Sequence, residues 1–120
     1  MYTPQLRSVA LRFNTGVHYV ALGITQFRSS SCPVITEGRG DSLLGALLHA
    51  LNEYTQNPRV VLSFHFHISI LKNKEYAEVV VRFCGTDDAD GEWKNGLYVG
   101  VGREVVEAFT DAYFKSMNGL

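Results

Sequence analysis

The sequence predicts an α+β fold in which a βββα unit occurs twice, with sheet packed against two helices. In each half of the chain, segments rich in alternating, β-branched and aromatic residues give way to an apolar stripe at helical spacing. With 120 residues, of which 46% are hydrophobic, the chain can form a core without disulfides or metals. We therefore expect a single domain made of two repeat units, at about residues 6–57 and 58–118.

The first unit begins with a predicted hairpin. Residues 6–13 alternate in part, residues 17–27 are rich in β-branched and aromatic side chains, and residues 14–16 (Asn-Thr-Gly) between them favour a turn. After a run of serines at 29–31, residues 33–37 predict a third, short strand.

A helix follows this third strand. Either Asp41 or Ser42 can cap its first turn through a side-chain oxygen, and Asn57 with Pro58 ends it. Its predicted apolar stripe consists of Leu43, Leu44, Leu47, Leu48, Leu51 and Tyr54.

The second unit repeats this order. Residues 59–71 predict a long strand, residues 73–75 a turn and residues 76–84 a second strand. Residues 86–92 are typical of a solvated loop, and residues 93–101 predict a third strand. The apolar stripe of the last predicted helix, which ends near Gly119, consists of Val105, Val106, Phe109, Ala112, Tyr113 and Met117.

Direct alignment of the two halves supports a duplication. A shift of 62 positions places residues 38–51 over residues 100–113 without a gap, and eight of the fourteen positions agree in character. Any two strand-to-helix junctions share glycines and an apolar stripe, but both Gly-x-Gly pairs align here, which favours a duplicated unit. Two such units predict a six-stranded layer with two helices on one face. The identical pairs are Gly38/Gly100, Gly40/Gly102, Ala46/Ala108 and Ala50/Ala112.

The charge and composition exclude broad classes of partner. Eleven basic and twelve acidic residues give a net charge of -1 and a pI near 6.4, so nucleic acid or an anionic membrane would meet no basic field. No apolar run approaches the ~20 residues of a membrane helix, and the N-terminal residues lack a secretory apolar stretch. We expect a cytoplasmic protein in which Cys32 and Cys84 are reduced thiols.

The repeated junctions are the first candidates for a functional site. Each predicted unit ends in a strand, then Gly-x-Gly, then a helix, which exposes backbone N–H groups at the positive end of a helix dipole. Such a terminus attracts a carboxylate or a phosphate, so a cleft between the two units is the predicted ligand site. The alternative is that the four glycines serve only a tight turn and close packing of helix on strand.

Known catalytic motifs are missing from the sequence. The third glycine of a dinucleotide fingerprint is replaced by Leu43 and Val105, and no P-loop, HExxH, GxSxG or CxxC occurs. His65 and His67 share one face of a strand, but no carboxylate or cysteine is spaced locally to complete a metal site. We therefore predict no catalytic residues, no metal and no cofactor, and a binding or regulatory module rather than an enzyme.

Four segments resemble the C-terminal regulatory domain of 2-isopropylmalate synthase and its citramalate synthase relatives. They are GRGDSLLGALLHAL, VVLSFHFHI, YAEVVVRF and GLYVGVGREVVEAFTDAYFKSMN, at residues 38–51, 60–68, 76–83 and 96–118. The resemblance covers nearly the whole chain and is weakest over the first 35 residues. That family has two βββα units, which agrees with the duplication found independently.

The resemblance implies a site for a feedback amino acid between the two units. Its carboxylate would bind at the start of the first helix, and its side chain would lie against an apolar wall from the fourth and fifth strands. The family usually has Gly-Pro where this chain has Ser42 and Leu43, and its second junction is about two residues longer. The implied ligand-binding residues are Gly40, Asp41, Ser42, Leu44, Gly45, Val61, Phe64, Ile68, Ala77, Val79, Gly102 and Glu104.

The predicted function is therefore an allosteric amino-acid-binding and dimerisation domain of the leucine-feedback type. The resemblance implies a homodimer, leucine or a related amino acid as ligand, and a catalytic barrel domain or subunit as a further partner. The family's condensation of acetyl-CoA with a 2-oxo acid needs a metal-dependent TIM barrel, which 120 residues cannot contain. The alternative is a ligand-free dimerisation or docking module, with exposed residues such as Trp93 and Tyr98 at its interface.

Overall fold

The computed structural model describes residues 4–26, 32–86 and 93–118 and divides the chain into two compact units, Met1–Pro58 and Arg59–Leu120. The architecture is α+β: each unit consists of a three-stranded antiparallel sheet followed by a helix. Residues 87–92 of the predicted loop at 86–92, the serine run at 29–31 and Gly119 lie outside the described residues, and Thr86 belongs to a strand rather than to the loop.

The first unit contains strands β1 (Gln5–Asn14), β2 (Val17–Thr25) and β3 (Val34–Gly40), paired in that order, and helix α1 (Leu43–Thr55). A two-residue turn joins β1 to β2, and both of its residues have positive φ, 54° at Thr15 and 78° at Gly16. This is the turn type whose twist matches that of a hairpin, and it confirms the predicted hairpin.

The second unit contains β4 (Arg59–Leu71), β5 (Lys74–Thr86), β6 (Trp93–Gly102) and α2 (Val105–Ser116), again paired in chain order. Its hairpin turn is Lys72-Asn73, with φ values of 53° and 64°. The predicted turn at 73–75 was therefore placed too late, because Lys74 already pairs with Leu71 in the ladder.

The duplication extends to the strand register. In the first hairpin the register shifts between Leu6 and Ser8, and in the second it shifts between Val61 and Ser63. Leu6 and Val61 occupy corresponding places because each lies opposite the buried aromatic or aliphatic residue near the end of the middle strand. A β-bulge at the same place in both units is a feature of the fold rather than a local irregularity.

Each helix packs on the second and third strands of its own unit. The buried core of the first unit is mainly aliphatic, whereas that of the second contains a cluster of rings: Phe83 lies 5.6 Å from Phe109 and 5.5 Å from Tyr113 between ring centroids. The main core side chains are Val20, Leu22, Ile24, Leu47 and Leu51 in the first unit and Val79, Val81, Phe83, Phe109 and Tyr113 in the second.

The described strands pair only within their own unit. Their hydrogen bonds form two three-stranded sheets, one in each unit, which confirms the predicted α+β fold of two βββα units. The strand-forming pattern of residues says which segments are strands, but it does not say which edges pair. None of the described helices is long and apolar enough to cross a membrane.

Candidate functional site

The junction between β3 and α1 has the geometry of a capped helix start. Ser42 is the N-cap, with extended backbone (φ -137°, ψ 158°), and its side-chain oxygen accepts a hydrogen bond from the N–H of Gly45 at 3.0 Å. Its carbonyl accepts from the N–H of Ala46 at 3.0 Å. The N–H groups of Leu43 and Leu44 have no acceptor within the helix, and the first turn contains no acidic side chain.

The corresponding junction between β6 and α2 differs in charge and in capping. Glu104 is the N-cap, but its side chain makes no capping hydrogen bond. Glu107 lies in the first turn, so carboxylates already occupy the region where the helix dipole would favour an anion. The two junctions share a backbone plan, and the first is the better site for an added carboxylate.

The four repeated glycines lie within β3 and β6, in close contact with the helix of their unit, and not after the strand as predicted. A Cβ on Gly38 would collide with the carbonyl of Ala46 and the N–H of Ala50, and one on Gly100 would collide with the carbonyl of Ala108. On Gly40 it would lie 2.9 Å from the nitrogen of Ala46.

Gly102 completes the set, because a Cβ there would lie 2.7 Å from the nitrogen of Ala108. All four glycines therefore have a packing role: they allow the helix backbone to lie directly on the strand. A bulky residue at Gly40 would disturb this packing first, so such a variant cannot by itself report on a ligand.

The predicted apolar wall lies in the second unit, on the face of the sheet that α2 covers in part. Ala77 pairs with both Ile68 and Gly102, so these three predicted residues form one row across the sheet. Ile68 is 52% exposed, whereas Ala77 and Val79 are fully buried in the core.

The remaining two wall residues lie further along β4. Phe64 is half-buried, with its ring 5.9 Å from that of Phe109, and Val61 is half-buried opposite Phe83. Ile68 therefore presents the largest accessible apolar surface of the wall. Gly40, Asp41, Ser42, Leu44 and Gly45 belong to the first unit, and the wall, Gly102 and Glu104 belong to the second.

An open cavity of about 480 Å³ lies in the second unit beside the second junction. Its lining combines charges of both signs, which suits a zwitterion better than a simple anion. The charged residues that line it are Lys72, Lys74, Glu75, Arg103 and Glu107, and Gly102 forms part of its wall.

Helix side chains bind the outer strand of each sheet at equivalent places, which the sequence analysis missed. The Nδ1 atom of His49 in α1 accepts a hydrogen bond from the N–H of Arg39 at 3.1 Å. Asp111, the residue 62 positions later, accepts from the N–H of Val101 at 3.0 Å, and Lys115 donates to the carbonyl of Val99 at 3.0 Å. His49 and Asp111 align at the shift of 62, but an imidazole and a carboxylate differ in chemical type, so the alignment did not indicate that they are equivalent.

The histidines of β4 do not assemble a metal site in the structure. His67 lies 3.5 Å from Glu78 across the strand pair, and both side chains are substantially exposed. Residues 4–26, 32–86 and 93–118 contain no group of three or more potential ligands that could hold a metal ion. Cys32 and Cys84 form no disulfide bond with each other.

Comparison with known proteins identifies no family for this chain. No protein-family model matches the chain, and no curated protein matches it.

Proposed function

We propose that the chain is a regulatory domain that binds a small branched-chain amino acid, with the ligand carboxylate at the start of α1. The observation that carries the proposal is the unequal charge of the two junctions. The first turn of α1 has no acidic side chain, and the N–H groups of Leu43 and Leu44 have no acceptor within the helix. In α2, by contrast, Glu104 is the N-cap and Glu107 lies in the first turn.

Two further features support an amino acid rather than a simple anion. Asp41 is exposed next to the cap, where its carboxylate can pair with an ammonium group. The resemblance of residues 38–51 to the feedback domain of 2-isopropylmalate synthase supports leucine or a related amino acid as the ligand. The proposal assigns no catalytic step to this chain.

Calorimetry with leucine, isoleucine and valine at millimolar concentration tests the proposal. Leu43 is the first helical residue and is 36% exposed, so Leu43→Glu and its neutral control Leu43→Gln remove the same apolar contact. We expect the glutamate to raise the Kd about tenfold over the glutamine by repelling the ligand carboxylate. The same glutamate should not lower the Tm relative to glutamine, because a negative charge at a helix N-terminus is stabilising.

A second arm asks which junction binds the ligand. Arg103→Gln removes a cation from the cavity at the second junction without touching α1. If this variant abolishes binding while the Leu43 pair behaves alike, the site is the cavity and not α1. The absence of both heat and thermal shift for all three amino acids would remove the sensing function altogether.

A second candidate function is a dimerisation module that needs no ligand. It is favoured by large apolar side chains that are exposed on strands of the second unit, among them Trp93 at 64% and Leu97 at 54%. Tyr98, by contrast, is half-buried, with its ring 6.5 Å from that of Phe83. A dimer in sedimentation that is indifferent to leucine would favour this candidate, and a monomer would count against it.

A further inference from the structure

The outer strands of the two sheets are protected unequally. A free strand edge presents unpaired N–H and C=O groups to solvent, and proteins usually block it with charges, proline or bound side chains. On β3 and β6 the side chains of His49, Asp111 and Lys115 bind backbone groups of the strand. These contacts occupy backbone groups of Arg39 on β3 and of Val99 and Val101 on β6, and β3 also carries the charged side chains of Glu37 and Arg39.

The edge strand β1 is protected by charge. Arg7 lies at the bulge and donates from Nε to the side-chain oxygen of Thr25 at 3.0 Å. Arg12 stacks over the ring of Tyr19 at 4.5 Å from its centroid. A second copy of β1 laid antiparallel on this edge would bring these like charges close to each other, which is unfavourable.

The edge strand β4 lacks these protections. It is thirteen residues long, and from Val60 to Leu71 it contains no lysine, arginine, aspartate, glutamate, proline or glycine. Its one register shift lies near its start, between Val61 and Ser63, so the rest of the strand is regular. Arg59, its only fixed charge, is 1% exposed and donates to Ser116 within the unit.

The strand also exposes large apolar side chains along its length. They lie on both faces of the sheet: Phe66, Ile68 and Ile70 are on the face that α2 covers in part, whereas Val60 and Leu71 are on the opposite face. These side chains are Val60 (49% exposed), Leu62 (54%), Phe66 (48%), Ile68 (52%), Ile70 (71%) and Leu71 (61%).

We propose that β4 pairs antiparallel with β4 of a second copy of this chain, about a two-fold axis. Residues that lie opposite one another in an antiparallel pair share a face of the sheet. In any allowed register, the side chains of Phe64, Phe66, Ile68 and Ile70 would therefore lie opposite members of the same set in the second copy. No lysine, arginine, aspartate or glutamate lies between residues 60 and 71, so this self-pairing brings no fixed like charges of β4 together. A partner strand of different sequence would not require β4 itself to be free of charge, because its own charges could complement those of β4.

The pairing joins the two sheets of the second units into one six-stranded sheet across the two copies. In each copy α2 covers β5 and β6 but leaves the same face of β4 exposed at Phe66 and Ile68. The apolar side chains on this face would then lie at the centre of the new sheet. The inference rests on the dimer of the second candidate function and does not require an amino acid.

The decisive experiment compares equivalent positions on the two edge strands. Phe66 lies opposite Val79 and Leu11 lies opposite Val20, and they are 48% and 51% exposed. We expect sedimentation equilibrium of the full chain to show a dimer at about 100 µM. Phe66→Lys should raise the dimer dissociation constant at least about 100-fold, because each copy would place a lysine charge in the apolar centre of the pair, whereas Leu11→Lys should leave it unchanged.

Amide hydrogen exchange of the unaltered chain gives a second readout that needs no variant. Protection at alternate residues of β4 should rise with protein concentration, and protection along β1 should not. A monomer at all concentrations, with no such rise, overturns both the pairing and the dimer. A dimer that withstands Phe66→Lys, or that Leu11→Lys weakens equally, overturns the β4 assignment and leaves dimerisation itself intact.

Discussion

The two units of this chain share a backbone plan and differ in almost everything attached to it. Both have a hairpin with a two-residue turn, a bulge in the first strand, and a helix that lies against the glycines of the third strand. The side chain that fills the centre of the helix interface is Leu47 in the first unit and Phe109 in the second. The positions that stayed identical are those where one backbone touches another.

The changed positions give the two units different charges at their helix starts and edge strands. The first has no acidic side chain in the first turn of its helix, and its edge strand β1 carries Arg7 and Arg12. The second has acidic side chains at its helix start and an uncharged free edge at β4. Our two proposals use this difference: they assign ligand binding to the helix start of the first unit and strand pairing to the edge of the second.

The largest expected effect concerns the two cores. Phe109 and Leu47 are equivalent and fully buried, but Phe109 packs its ring against Phe83 and Phe64. Phe109→Ala should destabilise the second unit by about 4 kcal/mol and Leu47→Ala the first by about 3 kcal/mol, since the larger ring leaves the larger cavity. Trp93 fluorescence during urea unfolding follows the second unit, and amide exchange of β2 follows the first.

The reverse order of these two losses would contradict the view that the aromatic cluster is the stronger core. If Leu47→Ala raises the rate of amide hydrogen exchange in β5 as strongly as in β2, the two units do not unfold separately.

The next effect tests whether backbone contact explains the four retained glycines. Gly38→Ala and Gly100→Ala should each cost about 3 kcal/mol, because the new methyl group meets helix backbone, which no rotamer change relieves. Gly45→Ala is the control: its Cβ would meet only the side-chain oxygen of Ser42 at 3.0 Å. It should change the free energy of unfolding by less than about 1 kcal/mol, since alanine favours the helix.

Much of this shared backbone architecture could be predicted from the sequence, because the positions of its small and apolar residues determine where the strands and helices lie. The boundaries of β4 and the starts of both helices agree with the structure, since Arg59–Leu71 and the stripes from Leu43 and Val105 carry strong periodicity. The Gly/Ala identities likewise indicated the duplication.

Other features could not be predicted from residue patterns. A single shift of 62 aligns the helices, but the first strands correspond at a shift of 55, because Leu6 matches Val61. The longer second hairpin hides this correspondence. The backbone contacts of His49 and Asp111 also escaped prediction, since one imidazole and one carboxylate share a task but no chemical class.

A smaller effect concerns these edge contacts. Asp111→Ala removes the acceptor of the Val101 N–H and the ion pair with Lys115 at 3.1 Å, so it should cost about 1 kcal/mol and speed exchange of the Val101 amide. Asp111→Asn keeps an acceptor oxygen and should preserve most of the protection. Equal exchange in both variants would show that the side chain does not hold the edge.

The smallest expected effect concerns the helix starts. Ser42→Ala removes the hydrogen bond to Gly45 and should destabilise the first unit by about 1 kcal/mol. Glu104 makes no such bond, so Glu104→Ser should supply the missing cap but remove the favourable interaction of the carboxylate with the helix dipole. The net result should be a stabilisation of the second unit by about 0.5 kcal/mol. Urea unfolding monitored by Trp93 fluorescence measures the second change. A loss of stability on Glu104→Ser would mean that the charge of Glu104, and not its failure to cap, determines how α2 begins.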